Sequence, residues 1–280
     1  MKKNPIPIIV LCLVLAFLYL PIFVLTANSF NLSRFGGSWV GFTLKWYGQL
    51  MEDQQVWLSV VNSLIIAAGA TILSCLLGTC AAMALHRWSK SRLQAFHYGL
   101  IYTPLVVPEI LMGISLLLAF TAIGMDCGLT TILLAHTTFC ISYVTMTVLS
   151  RLQDFDDSLI EAARDLGATG WVSFWRVQFP LLLPGIISGG LLAFTLSIDD
   201  FVITFFVAGP GSSTLPLKVY SMIKHSPKLP IINCLSTLML FLTFILVLAS
   251  RAIQRVKQPK AHLRDHSKGK KDEKAYSISE

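Results

Sequence analysis

Six long apolar stretches, separated by short polar segments, constrain this sequence more than any other feature. A helix that crosses the hydrocarbon core of a bilayer needs about 20 mostly apolar residues. The stretches of that length are approximately 6–27, 57–85, 98–124, 129–149, 181–207 and 231–249. Charged residues make up 13% of the chain, compared with about 25% in soluble domains. The sequence therefore predicts an all-α membrane protein with six transmembrane helices.

The first apolar stretch has two interpretations, a span or a secretory signal. Lys2 and Lys3 precede it, as positive charges precede the apolar part of a signal peptide. The stretch is longer than the usual ~7–15 apolar residues of a signal, and no A-x-A-like cleavage site follows it. We therefore expect it to be an uncleaved span.

The distribution of Lys and Arg predicts the orientation of the spans. All 22 of these residues lie outside the apolar stretches, 17 of them on segments that share one side of the membrane and five on the other side. Because basic residues collect in cytoplasmic segments, we expect both termini in the cytoplasm. This topology also accounts for the net charge of +7, so no nucleic-acid partner is predicted.

The sequence contains no pattern for catalysis, nucleotide binding or metal binding. The segment GPGSST, 209–214, has glycines but lacks the Lys of a phosphate-binding loop. None of the six Cys residues forms a C-x-x-C pair, and most lie inside apolar stretches, which is typical of packing residues. We expect no catalytic residue, no metal site and no cofactor in this chain.

A short charged segment lies between the fourth and fifth apolar stretches, on the predicted cytoplasmic side. Ser158 and Glu161 have the spacing of a capping box, which would begin a helix. Apolar residues then recur at helical spacing until Gly167, which predicts the end of that helix. Thr169 would cap a second short helix, and Pro180 would mark its end or a kink. Such a segment can lie on the membrane or dock into a groove of another protein.

The same segment resembles the EAA loop of ABC importer permeases. That loop reads E-A-A, three residues, G, nine residues and I-x-L-P, and this sequence has the same spacing. The matching positions are Glu161, Ala162, Ala163, Gly167 and 177–180, with Val177 in place of Ile and Phe179 in place of Leu. In those permeases the loop is a coupling helix in a cleft of a separate ATPase subunit. The resemblance implies that the first four of these residues contact an ABC ATPase dimer, which binds the ATP and Mg.

Three acidic residues, Glu109, Asp199 and Asp200, lie in or near the predicted spans. Such a charge costs about 2.5–3.5 kcal/mol near the middle of the bilayer, and no Lys or Arg inside a span could neutralise it. A cationic substrate would supply the missing partner. Alternatively the acids cap or pack helices, because Pro104 and Pro108 can interrupt the third span and free backbone groups. Adjacent helical residues point about 100° apart, so we expect one Asp to face the path and the other to bond a neighbouring helix.

Two further sites carry polar or aromatic groups. Trp46 and Tyr47, in the outer loop after the first span, are either a cation–π site for an ammonium group or interfacial anchors. His136, in the fourth stretch, is expected to be a hydrogen-bonded packing residue and not a proton relay.

Nearly the whole chain, from Tyr19 to Ile253, resembles the spermidine/putrescine importer permeases of the PotC/PotI type. The segments that carry this resemblance are SRLQDFDDSLIEAARDLGAT, LLAFTLSIDDFVITFFVAGPGSSTLP and the early W-Y-G. It implies a bacterial inner-membrane importer in which a second homologous permease, an ATPase dimer and a periplasmic polyamine-binding protein join this chain. The matching substrate-path positions are Trp46, Glu109, Ser197, Asp199 and Asp200. The family more often has Asp at the position of Glu109.

Three regions are therefore predicted. Residues 1–56 form an N-terminal transmembrane helix and a periplasmic loop. Residues 57–253 form a core of five transmembrane helices with the type I ABC importer permease fold. Residues 254–280 form a basic cytoplasmic tail that has too few large apolar side chains to fold alone and is expected to be disordered.

Other functions stay open at this point. Permeases for ferric iron, thiamine or phosphonates share the same architecture. A proton-coupled secondary carrier could use Glu109 or Asp199, but it leaves the EAA spacing unexplained. A membrane scaffold would have no reason to carry unpaired acids in its spans.

Overall fold

The computed structural model describes residues 6–34, 38–88, 92–153, 155–156, 158–225 and 229–257, without the side chains of 225, 242, 243 and 246–257. This part of the chain is helical and has no β-strand, only one isolated bridge between Asn31 and Phe42. Its α-helices are α1 (Ile6–Ser29), α2 (Lys45–Glu52), α3 (Gln54–Arg87), α4 (Gln94–Val106), α5 (Glu109–Ala122), α6 (Leu129–Gln153), α7 (Ser158–Asp165), α8 (Gly170–Ser173), α9 (Phe179–Asp199), α10 (Val202–Val207), α11 (Leu215–His225) and α12 (Leu229–Lys257). A π-helical segment, Phe174–Gln178, connects α8 to α9.

Four helices within the described ranges are long and apolar enough to cross a membrane: α1, α3, α6 and the continuous helix Gly170–Asp199. The pair α4 and α5, bent by 110° at a short break, counts as a fifth span if the two helices are taken together. The sixth predicted span falls on α12, whose described apolar part is Leu229–Phe241. The all-α prediction is therefore confirmed, while the count of six spans stays a prediction.

Three of these helices, α3, α6 and α9, pack closely at the centre of the molecule. Small residues allow their approach, as is common between membrane helices. A Cβ on Gly78 would lie 2.9 Å from the Cβ of Val144, and a Cβ on Gly190 would lie 2.8 Å from the Sγ of Cys75. This packed centre supports the shorter helices that border it.

A second buried cluster joins α2 to the beginning of α12. Trp46 and Leu50 of α2 pack there against Ile231 and Leu235. The first helix, α1, contacts α12, but its apolar window is 0% buried within the chain. The side chains of α1 are therefore left to lipid or to another subunit.

The third predicted span is interrupted at a proline. α4 ends at Val106, and α5 begins at Glu109, directly after Pro108. Val107 has extended angles, φ −67° and ψ 131°, as expected for a residue that precedes a proline. The predicted interruption is confirmed at Pro108, whereas Pro104 lies within α4.

The prediction of one continuous fifth span, 181–207, is wrong. α9 ends at Asp199, and α10 begins at Val202. Asp200 between them has extended angles, φ −64° and ψ 126°. Apolar residues continue on both sides of this break, so hydropathy alone does not reveal it.

Of the two alternatives predicted at Pro180, a helix end is wrong, while a kink stays a prediction. The helix from Gly170 to Asp199 is continuous and includes the π-helical segment just before this proline. Within it, the N–H of Phe179 donates to the carbonyl oxygen of Phe174, five residues earlier. The wider π turn therefore comes just before Pro180, which has no N–H to donate.

Candidate functional site

The two helix breaks border one cavity of about 280 Å³. The break before α5 places Glu109 on its wall, and the break after α9 places Asp199 and Asp200 there. Phe139 and Tyr143 of α6 line it as well. No described Lys or Arg lines the cavity, so its charged groups are all acidic.

Asp200 holds the second break together. Its Oδ1 accepts a hydrogen bond from the N–H of Ile203 at 3.2 Å. Its Oδ2 accepts from the N–H of Thr204 at 2.9 Å and from the hydroxyl of Thr204 at 2.8 Å. These donors belong to the first turn of α10, where backbone N–H groups have no intrahelical partner. The carboxylate of Asp200 therefore caps α10 within the membrane.

His136 of α6 joins the same group of polar atoms and is fully buried. Its Nε2 lies 3.1 Å from Oδ2 of Asp200 and 2.9 Å from Oγ1 of Thr204. Its Nδ1 lies 2.7 Å from Oγ of Ser197 in α9. The expectation that His136 is a hydrogen-bonded packing residue is confirmed, and the bonds connect three helices.

Asp199 and Glu109 are in a different situation, although they line the same cavity. Both side chains are exposed, and neither carboxylate has a hydrogen bond or an ion pair with another described residue. Asp200, in contrast, bonds the neighbouring helix α6. The expected bond of one Asp to a neighbouring helix is therefore present at Asp200, although Asp200 has extended angles and is not helical. That Asp199 faces a substrate path stays a prediction.

Trp46, also predicted on the substrate path, lies away from these acids. It is 6% exposed, and its Nε1 donates to the carbonyl oxygen of Asn31 at 2.9 Å. Its ring borders a separate cavity of about 770 Å³ together with Lys45 and Glu52. The Nζ of Lys45 lies 6.0 Å from the centre of the ring. A role for Trp46 in substrate passage stays a prediction.

Ser197 is likewise separated from the cavity. It is 3% exposed, and its hydroxyl bonds His136. The sequence reasoning grouped Ser197 with Asp199 as substrate-path residues, but it did not identify Thr204 as a partner of the acids. The signal for Thr204 was its position four residues after Asp200, at the start of a short helix.

The charged segment between α6 and α9 forms the predicted helix, turn and helix. Gly167 ends α7 with a φ of +85°. The N–H of Gly167 donates to the carbonyl oxygen of Arg164 at 2.8 Å, and the N–H of Ala168 donates to that of Ala163 at 3.0 Å. These two bonds make a Schellman motif. A Cβ on Gly167 would meet no atom within 4 Å, so glycine is needed for its backbone angles and not for space.

The predicted caps have different outcomes. The capping box is wrong, because Ser158 is the first helical residue and its N–H donates to Oδ1 of Asp156 at 3.0 Å. Hydrogen bonds from the Ser158 side chain and backbone lower the pKa of Asp156. The cap at Thr169 is confirmed, since its Oγ1 accepts from the N–H of Val172 at 3.4 Å.

The surface of this segment is both apolar and charged. Leu166, at the tip of the turn, is 90% exposed, and Trp171 is 70% exposed. Glu161 lines a cavity of about 670 Å³ with Arg87 and Arg164. Ala162 is exposed, and Ala163 is half-buried. Large apolar side chains in this position are available to a protein partner.

Comparison with known proteins identifies the family. Residues 74–262 match the family described as binding-protein-dependent transport system inner membrane component. The spermidine/putrescine transport system permease protein PotC of Escherichia coli (strain K12) is 42% identical over 242 residues, which cover 86% of this chain and 91% of that protein. The putrescine transport system permease protein PotI of the same organism is 44% identical over 244 residues, covering 85% and 86%.

Solved structures show the same fold. A bacterial ABC transporter involved in the import of the acidic polysaccharide alginate has a TM-score of 0.69 at 16% identity, covering 90% of this chain and 95% of that one. The inward-facing MetNI methionine ABC transporter has a TM-score of 0.60 at 16% identity, covering 78% and 100%. At such low identity these likenesses concern the fold alone.

The all-helical fold and these matches define the class, a type I ABC importer permease of the inner membrane. The chain belongs to the binding-protein-dependent transport system inner membrane components, and within them to the permeases of the PotC and PotI type. It is a transport subunit and not an enzyme, as its sequence predicts.

Proposed function

We propose that this chain is a permease subunit of an ATP-driven importer that moves polyamines, putrescine or spermidine, across the bacterial inner membrane. The observation that carries the proposal is a cavity bordered by helix breaks. Among the described residues, Glu109 and Asp199 have no bonding partner there, and no Lys or Arg lines the cavity. The names of PotC and PotI, which state spermidine and putrescine transport, support the same substrate.

The cavity has the chemistry that a polyamine requires. Such a substrate carries two or more ammonium groups separated by methylene chains, and each ammonium must lose water in a narrow path. Carboxylates of Glu109 and Asp199 replace that hydration with charge-assisted hydrogen bonds, which are about twice as strong as neutral ones. The rings of Phe139 and Tyr143 offer apolar surface to the methylenes and cation–π contact to the ammonium groups. Contacts of modest strength at several positions also permit release.

The proposal includes the partners that such an importer needs. The cytoplasmic turn at Gly167, with Leu166 and Trp171 exposed beside Glu161, would dock into an ABC ATPase dimer that binds the ATP and Mg. A second homologous permease would complete the path, and a periplasmic polyamine-binding protein would deliver the substrate. Both termini would then lie in the cytoplasm, consistent with the distribution of basic residues.

Uptake of labelled putrescine and spermidine tests the substrate. The measurement uses cells that lack other polyamine importers and express this chain with its partner subunits. We expect Asp199→Asn to lower uptake about tenfold or more, and Asp199→Asn with Glu109→Gln to nearly abolish it. Asp126→Asn, an exposed acid that does not line the cavity, is the matched control. Normal polyamine uptake by the double variant, at a normal level in the membrane, would overturn the proposal.

Other substrates and mechanisms are separate outcomes of the same assay. An excess of ferric iron, thiamine or phosphonate that competes with the labelled polyamine would point to a different importer. The absence of basic residues from the described cavity lining disfavours an anion such as phosphonate. Uptake that persists with a hydrolysis-deficient ATPase and stops with a protonophore would favour a proton-coupled carrier instead.

A further inference from the structure

A closed group of four polar side chains lies beside the cavity and connects three helices. His136 of α6 contacts Ser197 of α9 and also contacts Asp200 and Thr204 at the beginning of α10. All except Asp200 are buried residues, and the side chain of Asp200 is only 6% exposed. Polar groups at this depth in a membrane are costly unless they are bonded, so the role of the group needs an explanation.

The positions of the protons follow from the bonds. The hydroxyl of Thr204 donates its one proton to Oδ2 of Asp200. Its oxygen is then an acceptor, as is the carboxylate, so the Nε2 of His136 must carry a proton to reach either of them. The hydroxyl of Ser197 has no other described side-chain partner and donates to Nδ1. An imidazole with a proton on Nε2 and an acceptor at Nδ1 therefore satisfies every donor in the group.

We propose that His136 is a positioning residue, which holds Asp200 through Nε2 and thereby sets the break that presents Asp199 to the cavity. Asp200 has extended angles where α9 ends, and its carboxylate caps α10. The imidazole donates to that carboxylate from a different helix. Without this donor, Asp200 keeps its bonds to Ile203 and Thr204 but loses its connection to α6. The backbone next to Asp199 then loses part of its support.

This inference rests on the proposed transport function and divides the predicted substrate-path residues. Asp199 and Glu109 contact the substrate, because their carboxylates have no other described partner. Asp200 and Ser197 have structural roles, because their side chains are bonded to His136. The cavity then presents two available carboxylates, a number that matches the two ammonium groups at the ends of a polyamine.

Two amide substitutions of nearly equal size separate positioning from packing. In His136→Gln, the amide nitrogen takes the place of Nε2 and can still donate to Asp200. In His136→Asn, the shorter side chain takes the place of Nδ1, so it reaches Ser197 but not Asp200. We expect the Gln variant to keep at least about a third of polyamine uptake and the Asn variant to lose about tenfold or more. Thr137→Val, which removes a hydroxyl bonded within its own helix, is the control on α6.

A packing role predicts equal effects of the two amides. Equal uptake by the Asn and Gln variants, at equal membrane levels, would therefore contradict the inference. In an Asp200→Asn background, His136→Asn should lower uptake less than about threefold, because residues that act through one contact are not additive. If His136→Asn lowers uptake as much in the Asp200→Asn background as in the wild type, this result would also contradict the positioning role of His136.

Hydrogen exchange gives a readout that does not depend on the substrate. Peptides that cover 202–207 report the exchange of the amides of Ile203 and Thr204. Both amides donate hydrogen bonds to the carboxylate of Asp200. We expect faster exchange in these peptides for His136→Asn and for Asp200→Asn, and near-native exchange for His136→Gln. If the wild-type complex does not transport polyamines but this exchange pattern appears, the proposed substrate fails and the positioning role stands. Unchanged exchange in His136→Asn overturns the positioning role.

Discussion

The helix break at Asp200 and the turn at Gly167 end helices in different surroundings. Each leaves backbone groups without the partners that a continuous helix supplies. At Gly167 the backbone satisfies its own carbonyl oxygens through a Schellman motif. At Asp200 two side chains, that of Asp200 in the break and that of His136 in α6, complete the bonding. Within the hydrocarbon region of a membrane no water replaces a missing bond, whereas an exposed turn can leave its side chains to a partner.

This comparison separates structural polar residues from available ones. Asp200 is used by the break, while its neighbour Asp199 is not. At the turn, the backbone needs only the positive φ of Gly167, so Leu166 stays 90% exposed. The side chains that the local structure does not use are Asp199 in the cavity and Leu166 on the turn. In the proposed function these two side chains would contact the substrate and the ATPase.

The largest effect should separate the two adjacent acids. Asp200→Ala leaves the amides of Ile203 and Thr204 unsatisfied, at a cost of about 1–3 kcal/mol for each buried donor. We expect a clear fall in the amount of this variant in the membrane and in the thermal stability of the solubilised complex. Asp199→Ala should leave both near those of the wild type and lower only polyamine uptake. Equal destabilisation by the two substitutions would contradict the division between them.

The next effect concerns the tip of the turn. Burying a leucine side chain is worth about 1.5–3 kcal/mol, so Leu166→Ser should weaken ATPase binding about tenfold or more. Co-purification and titration of the ATPase against the permease in nanodiscs measure this change. Leu32→Ser, an exposed leucine in the loop after α1, is the control. If Leu166→Ser binds the ATPase with the affinity of the wild type, Leu166 is not part of the docking surface.

A smaller effect should follow from the backbone of the turn. A residue with a Cβ is destabilised by about 1–2 kcal/mol in the left-handed region. The destabilisation is largest for a β-branched side chain. Gly167→Val should therefore weaken ATPase binding several-fold, while Gly167→Asn should stay close to the wild type because Asn tolerates positive φ. Since space around the Cβ position is open, similar losses for Val and Asn would show that the backbone angle is not the cause.

The smallest effect should come from the cap of α8. Thr169→Ala removes an acceptor for the N–H of Val172, a bond of 3.4 Å. Loss of an N-cap costs about 0.5–2 kcal/mol, and a bond of this length belongs at the lower end. We expect about a twofold loss of ATPase affinity, with Thr169→Ser restoring it. A loss as large as that of Leu166→Ser would mean that Thr169 contacts the ATPase itself.

Several features of the fold and site were predictable because their signals are local. The length of each apolar stretch predicts the spans, and a glycine after a helical pattern predicts the turn at Gly167. Pro108 predicts the break in the third span for the same kind of reason, since it restricts the residue before it. The break at Asp200 has no such signal, because neither glycine nor proline stands there and apolar residues continue on both sides of the Asp199–Asp200 pair.

By itself the sequence determined that the chain lies in a membrane, that its spans carry acids but no Lys or Arg, and that it has the turn of an ABC importer permease. Only the tertiary structure decided which of the acids caps a helix and which is left without a bonding partner among the described residues. His136 is 61 residues from Ser197 and 68 from Thr204 in the chain, and packing of α6 against α9 and α10 brings them together. The tertiary structure also placed Trp46 in a separate cluster. Hydropathy and turn formation depend on neighbours in the sequence, whereas a hydrogen bond in a low-dielectric interior depends on whichever helix the fold brings within about 3 Å.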